Sequence, residues 1–253
     1  MTSTRNPDGC ASPATFTGLD ELVWADLGQV AYAHAFELQR GLAEQVRTGG
    51  GNRSYMLLVE HVPPTITLGR AADQGNVIAS PEILAAQGIE VHQTTRGGDV
   101  TYHGPGQLVG YPIIPLDRRG RDVHRYLRDV EEVIIRLMGR FDIRAGRVKG
   151  LTGVWVGNEK IAAIGIAVSR RVAYHGFALN VCPNMEHFGL IVPCGITDKP
   201  VTSMARILGC DISLAEVAPL AVECFAEVFD CRALRQAKPG ELADLGAQDH
   251  ENA

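Results

Sequence analysis

The chain has 253 residues, a net charge of −5, 45% apolar residues and 21% charged residues. That balance excludes an intrinsically disordered protein and lacks the basic footprint of a nucleic-acid-binding domain. The length suits one large domain or two small ones.

The first 19 residues, rich in Ser, Thr, Pro, Asn and Gly, read as a loose tail. Val23 to Leu27 is a short strand, and apolar residues at helical spacing follow from Val30 to about Arg47, stopped by Thr48-Gly49-Gly50-Gly51. Tyr55 to Glu60 and Thr65 to Leu68 are strands on either side of Pro63-Pro64. Ser80-Pro81-Glu82 has the form of an N-cap with proline at the first helical position, opening a short helix to Gln87. Ile89 to Thr94 is a strand leading to a glycine-rich loop, and Gln107 to Ile114 is the strand after it. A long amphipathic helix runs from Asp122 to about Phe141. Gly153 to Val156, Lys160 to Val168 and Val172 to Val181, joined by tight turns, predict an antiparallel meander. Ser213-Leu214-Ala215-Glu216 has capping-box form and starts a helix to about Phe229. Strands are neighbours in sequence more often than they alternate with helices. The expectation is an α+β domain with a mainly antiparallel sheet flanked by helices, spanning 20–235, with tails at 1–19 and 236–253.

The loop Arg96-Gly97-Gly98-Asp99-Val100-Thr101-Tyr102-His103-Gly104-Pro105-Gly106-Gln107 holds four glycines interleaved with groups that can grip a ligand. Glycine carries an entropic cost, so such density implies positive φ or close backbone approach. The loop lacks the Lys-Ser/Thr ending of a phosphate-cradling P-loop and does not open a helix, so ATP is not implied. The eight histidines are dispersed, with no metal-ligand spacing, although His103 and His175 are candidates for polar walls of a site.

The six cysteines lack the paired spacing of zinc or redox motifs. The polar N-terminus has no apolar signal core and no segment reaches transmembrane length, so a cytoplasmic protein with reduced thiols is expected. Cys182, Cys210, Cys224 and Cys231 read as small buried hydrophobes, the last two at heptad spacing on the C-terminal helix. Cys194 differs: Pro193 fixes the backbone before it and Gly195 removes bulk after it, the setting a thiolate nucleophile needs. Lys160 opens an unusually apolar strand after a tight turn. Near a thiol, its ammonium would favour the thiolate. Arg118-Arg119-Arg121 and Arg170-Arg171 are basic clusters that could dock an acidic partner.

Four blocks in order, the loop from Arg96 to Gln107, Gly157-Asn158-Glu159-Lys160-Ile161, Tyr174-His175-Gly176-Phe177-Ala178-Leu179-Asn180 and Pro193-Cys194-Gly195, resemble those of the lipoyl(octanoyl) transferases. The resemblance spans roughly Leu22 to Phe229. It implies a fold like the catalytic domain of the biotin and lipoate protein ligases. It also implies transfer of an octanoyl group from acyl carrier protein to a lysine of lipoyl domains, those of 2-oxoacid dehydrogenase complexes and of the glycine cleavage H protein. Cys194 would be the acyl-thioester nucleophile and Lys160 the group that lowers its pKa and shuttles protons. Arg96, Gly97, Gly98, Asp99, Val100, Thr101, Tyr102, His103, Ala163, Ile164, Gly165, Gly176, Phe177 and Ala178 would line the acyl site, with no cofactor or metal and neither nucleic acid nor membrane as a partner. The alternatives are an ATP-dependent lipoate or biotin ligase of the same fold, and a non-catalytic acyl-carrier-binding protein.

Overall fold

Tyr55 to Val59 is apolar without alternation, and a computed structural model shows why: both faces of this strand are covered. The structure describes residues 18–49, 53–119, 122–193, 199–238 and 240–242. In β2 (Arg53–His61), Met56 and Leu58 enter one apolar core, while Tyr55, Leu57 and Val59 enter a second on the opposite face. The first core is closed by α3 (Val123–Gly139) and α5 (Leu214–Val228), which contribute Tyr126, Val130, Ile134, Val217, Ala221 and Phe225. The second is closed by α1 (Tyr32–Thr48), whose Ala35, Leu38, Leu42 and Val46 form a single stripe.

The main sheet has seven strands. Besides β2 these are β1 (Glu21–Val30), β6 (Gln107–Pro115), β7 (Val154–Val156), β8 (Glu159–Ser169), β9 (Val172–Asn180) and β10 (Ala233–Gln236), in the order β10-β1-β2-β6-β9-β8-β7. From β2 through β7 every pairing is antiparallel, and the predicted meander is β7-β8-β9. The edge made by β10, β1 and β2 is parallel. A second sheet consists of β3 (Thr65–Leu68), β4 (Glu90–Gln93) and β5 (Val100–His103), in the order β4-β3-β5. It has its own core with α2 (Pro81–Ala86) and Phe188. The fold is therefore α+β with a mainly antiparallel sheet flanked by helices. No helix among the described residues is long and apolar enough to cross a membrane.

Caps act where the side chains predict them. Ser80 Oγ accepts from the Ile83 amide ahead of Pro81, Asp122 caps α3, and Ser213 with Glu216 completes a capping box on α5. A short helix, α4 (Met204–Leu208), is capped by Ser203.

Three expectations change. The glycine-rich loop contains a strand, β5, so it is two turns on either side of an extended, buried segment. The ends of the domain extend further than 20–235: Leu19 is buried and its carbonyl accepts from the Arg232 amide, β10 includes Gln236, and Leu242 is buried. Residues 1–17 and 243–253 lie outside the described residues. Among the cysteines, Cys224 is buried in the core, but Cys182 and Cys210 are exposed; both follow the ends of elements, where little packs over them. Cys231 lies beyond the end of α5 and is half-buried.

One buried ion group ties α3 to the turn before β7. The Glu131 side chain is 1% exposed; it accepts from Arg128 and Arg147 at 2.7 and 2.9 Å and from the Gly153 amide at 3.1 Å. Removing it leaves that buried amide without its acceptor. Glu131→Ala is expected to lower the unfolding free energy by about 2–3 kcal/mol, measured by urea denaturation.

Candidate active site

The cavity lies where the two sheets meet. β7 pairs with β8 only as far as Ala162, so the edge of β8 is open beyond it, and the Gly97 amide donates to the Ile166 carbonyl there at 2.8 Å. The approach leaves little room at position 165: a Cβ there would sit 3.0 Å from Arg96 Cδ and 3.1 Å from the Gly97 carbonyl oxygen. Between these segments is a narrow cavity of about 50 Å³. One wall is Ala163, Ile164 and Gly165 of β8 with His175, Gly176, Phe177 and Ala178 of β9; the other is Gly97, Gly98 and Asp99 with Thr101 and His103 of β5. Arg96, Tyr32, Val109 and Tyr111 complete the lining. Gly110, beside this wall, has no room for a side chain because the Phe177 ring crosses directly over it.

The polar groups of the wall form one directed network. Arg96, 8% exposed, donates from Nε and Nη2 to Thr67 Oγ1 at 3.2 and 2.8 Å and from Nη2 to the Thr67 carbonyl at 2.7 Å. With its lone pairs so engaged, the Thr67 hydroxyl donates to His103 Nε2, 3.3 Å away. His103 Nδ1 then donates to Gln107 Oε1 at 2.8 Å, an i, i+4 contact made across the Gly104-Pro105-Gly106 turn. Gln107 Nε2 donates to Asn180 Oδ1, Asn180 Nδ2 to the Thr202 carbonyl, and the Thr202 amide to the Lys160 carbonyl. The chain runs unbroken from Arg96 to the backbone of Lys160.

Behind the wall, His61 Nδ1 donates to the Val30 carbonyl and its Nε2 accepts from the Tyr111 hydroxyl at 2.7 Å. His61 also packs on Tyr32 and His103. Burial pushes His61 down to about 4 and His175 to about 3, the latter with the Arg96 and Arg70 charges opposing its protonation. Burial likewise holds His103 well below its ordinary range, with His61 and Arg96 adding to the effect. The wall is therefore lined by neutral imidazoles. His175 has a left-handed backbone (φ 59°), and its amide donates to Gln39 Oε1 at 3.0 Å.

Of the expected acyl-site residues, Val100 and Tyr102 do not line the cavity. They alternate with Thr101 and His103 along β5 and face the small sheet's core with Ile66 and Phe188. Tyr102 instead meets His187 Nδ1 at 2.7 Å. Lys160 is also outside the cavity lining but on its wall strand, three residues before Ala163. It is 6% exposed, with Nζ 4.9 Å from the centre of the Trp155 ring. Cys194 lies outside the described residues, as does Arg121. The chain up to Cys194 is held by the Val192 amide donating to the Asn76 carbonyl at 2.7 Å, and Asn76 Nδ2 in turn donates to Asp99. After the segment, Pro200 and Thr202 are hydrogen-bonded to the backbone of Lys160. Tyr32, Val109 and Tyr111 carried no sequence signal as site residues; only the packing of α1 and β6 brings them to the cavity. His175 was legible, from its place in the block before Gly176.

The model of the lipoyl protein ligase A/B catalytic domain matches residues 31–226. An octanoyltransferase of Chloroflexus aurantiacus is 52% identical over 206 residues, covering 80% of this chain and 92% of the relative. One from Koribacter versatilis is 51% identical over 209 residues, covering 81% and 82%. Among solved structures, a lipoate-protein ligase A bound with ATP superposes with a TM-score of 0.71 at 14% identity, covering 92% of this chain and 95% of that one. A bipartite lipoate protein ligase from Thermoplasma acidophilum superposes at 0.69 and 14%, covering 93% of each. At such identities the structures speak for the fold alone.

The neutral histidines set a pH dependence. His61 and His175 bind protons more readily unfolded, near 6.5, than folded, near 4 and 3. The stability they contribute is thus complete above about pH 6.5 and is lost as the pH falls toward their folded values. His61 alone is expected to account for about 2 kcal/mol between pH 7 and pH 5. Urea unfolding at the two pH values should show that loss, and His61→Gln should reduce it.

Proposed function

Because the chain belongs to the lipoyl protein ligase A/B catalytic-domain family, we propose a reaction built on the narrow cavity and the lysine on its wall strand. The enzyme is an acyltransferase that carries out octanoyl transfer in protein lipoylation, with a lipoyl domain as acceptor. The observation that supports this reading best is the continuity of β8: the segment that walls the cavity, Ala163 to Gly165, runs directly back to the buried Lys160. A fatty chain lying between β8, β9 and the loop at Gly97 would gain about 0.8 kcal/mol per buried methylene.

The donor in this reading is octanoyl-acyl carrier protein. Lys160 takes the proton of the Cys194 thiol, and the thiolate attacks the thioester carbonyl carbon. The bond from that carbon to the carrier sulfur breaks, and the carrier leaves as a thiol with the proton returned by Lys160. An acyl-Cys194 thioester replaces the carrier thioester at nearly equal free energy, so no nucleotide is needed. In the second half the neutral amine of the acceptor lysine attacks the same carbon, the amide forms, and Cys194 leaves. Lys160 passes the proton shed by the amine to the departing sulfur. The acceptors are lipoyl domains of 2-oxoacid dehydrogenase complexes and the glycine cleavage H protein, and the reaction runs in the cytoplasm. Gly97, Gly98, Thr101 and His103 hold the chain from one side and Ala163, Ile164, Gly165, Gly176, Phe177 and Ala178 from the other.

The test is intact mass spectrometry after mixing the protein with octanoyl carrier in the absence of ATP. A hydroxylamine-sensitive acyl adduct is expected in the parent and absent from Cys194→Ala. Lys160→Ala should slow its formation by about 10²-fold or more. An adduct that persists without Cys194 contradicts the thioester route, and a strict ATP requirement would assign a ligase instead.

A further inference from the structure

The distal end of the cavity is closed by a partition one side chain thick, and beyond it lies a separate surface groove. That groove, about 560 Å³, is lined by Phe36, Arg40, Arg47, Thr95, Arg170 and Tyr174 among others. On the cavity side the partition presents Tyr32 and His175. Phe36 stacks on His175 with ring centres 5.4 Å apart and planes 10° apart, and on Tyr32 at 6.2 Å. Thr95 Oγ1 lies 3.0 Å from His175 Nε2 and 3.1 Å from the Tyr174 hydroxyl. Each groove residue named in these contacts therefore touches a residue of the cavity wall or its immediate neighbour.

Strand register shows which end this is. Gly165 faces Gly176 and Ile166 faces His175. Ala163, the first cavity-lining residue of β8, lies three residues back from Ile166, roughly 10 Å at the rise of an extended strand, and Lys160 lies three residues further back. The partition thus stands at the end remote from the proposed chemistry. Its members come from three elements: Phe36 from α1, Thr95 from the segment after β4, and His175 from β9. The hydrogen bond to Thr95 and the Phe36 stack hold the imidazole in one orientation. An aliphatic wall would have only packing to do so.

We propose that Phe36, Thr95 and His175 are the stop that sets acyl chain length, and that shortening them joins the acyl slot to the groove. This rests on the reading of the cavity as an acyl site. The stop blocks chains longer than octanoyl because their terminal methylenes would have to displace the buried His175 ring and break its contact with Thr95. Once it is removed, those methylenes run out between Phe36 or its replacement and Tyr174.

The experiment measures kcat/KM for the parent, His175→Ala and Phe36→Ala on carriers loaded with C6, C8, C10 and C12 acyl groups. The C12 to C8 ratio is the readout, because it does not depend on how much of each variant is folded. The parent is expected to favour C8, and the ratio is expected to rise about tenfold or more in the variants, since single methylenes in an apolar site already discriminate on that scale. A rise in either variant supports the stop. An unchanged or lower ratio in both, or a parent that takes C12 as well as C8, overturns it while leaving acyl transfer intact. A parent that is acylated by no chain overturns the acyl-transfer reading and the stop with it.

Discussion

The separation between the two sheets depends on a single buried sequence of hydrogen bonds, from Arg96 through Thr67, His103, Gln107, Asn180 and Thr202 to the backbone of Lys160. Thr67 and His103 belong to the small sheet, whereas Gln107, Asn180 and Lys160 belong to the large one. Apolar contacts alone would let the sheets close on each other. Directed bonds between polar groups hold them at a fixed distance, and the narrow cavity is the space that remains. Each bond in this chain pairs a donor with an acceptor, although the buried Thr202 hydroxyl is left without a partner, so most of its polar atoms are buried at little net cost. The chain also fixes tautomers: with Gln107 Nε2 donating to Asn180, only Oε1 is left for His103 Nδ1, which must carry the proton.

The charge of Arg96 fits the same scheme. A buried guanidinium needs acceptors on every side, and Thr67 and the Gly97 carbonyl provide them. In return it opposes protonation of His103 and His175, which burial already disfavours. The imidazole rings of the wall thus add no charge of their own to a space suited to a hydrocarbon. Neutral rings supply both shape and directional bonds; the Tyr32 and Phe36 stacks around them use the flat faces, and Tyr111 meets His175 edge to face.

The legible parts of the sequence were those whose cause is local. Ser80 before Pro81 and the Ser213-Glu216 box mark helix starts because the capping bonds are made within three residues. Gly157 marks a hairpin because it has φ 58° at the first central position of its turn. The block from Tyr174 to Asn180 was recognisable because it lies within one strand, and that from Gly157 to Ile161 because it is one turn and the strand start it delivers. The illegible parts depend on contacts distant in sequence. The pairing of β10 with β1 joins segments more than two hundred residues apart in the chain and is parallel, so no turn announces it. The resemblance carries the whole segment from Arg96 to His103 to the site, Val100 and Tyr102 included, whereas β5 is buried on both faces. Such a strand has no apolar-polar alternation to say which residues face the ligand. Tyr32 and Tyr111 come to the cavity only through the docking of α1 on β6.

Both ends of the proposed reaction path are set by one register, that of β8 against β9. Ser169 pairs with Val172 across a two-residue turn in which Arg170 and Arg171 have φ 46° and 72°. These are the dihedrals of a type I′ hairpin, which fixes the pairing of every rung beyond it. Because side chains alternate with period two, a slip of one residue would turn Gly165 away from Arg96 and put a side chain where the loop must approach. The same slip would move Ile166 from its place opposite His175, and Lys160, which lies just beyond the last β8–β9 rung at Ala162, would shift with the strand. Position of the lysine, closeness of the glycine loop and location of the distal stop are therefore not independent features. They are successive readings of one strand pairing, and a change that lengthens or shortens the 170–171 turn must disturb all three together.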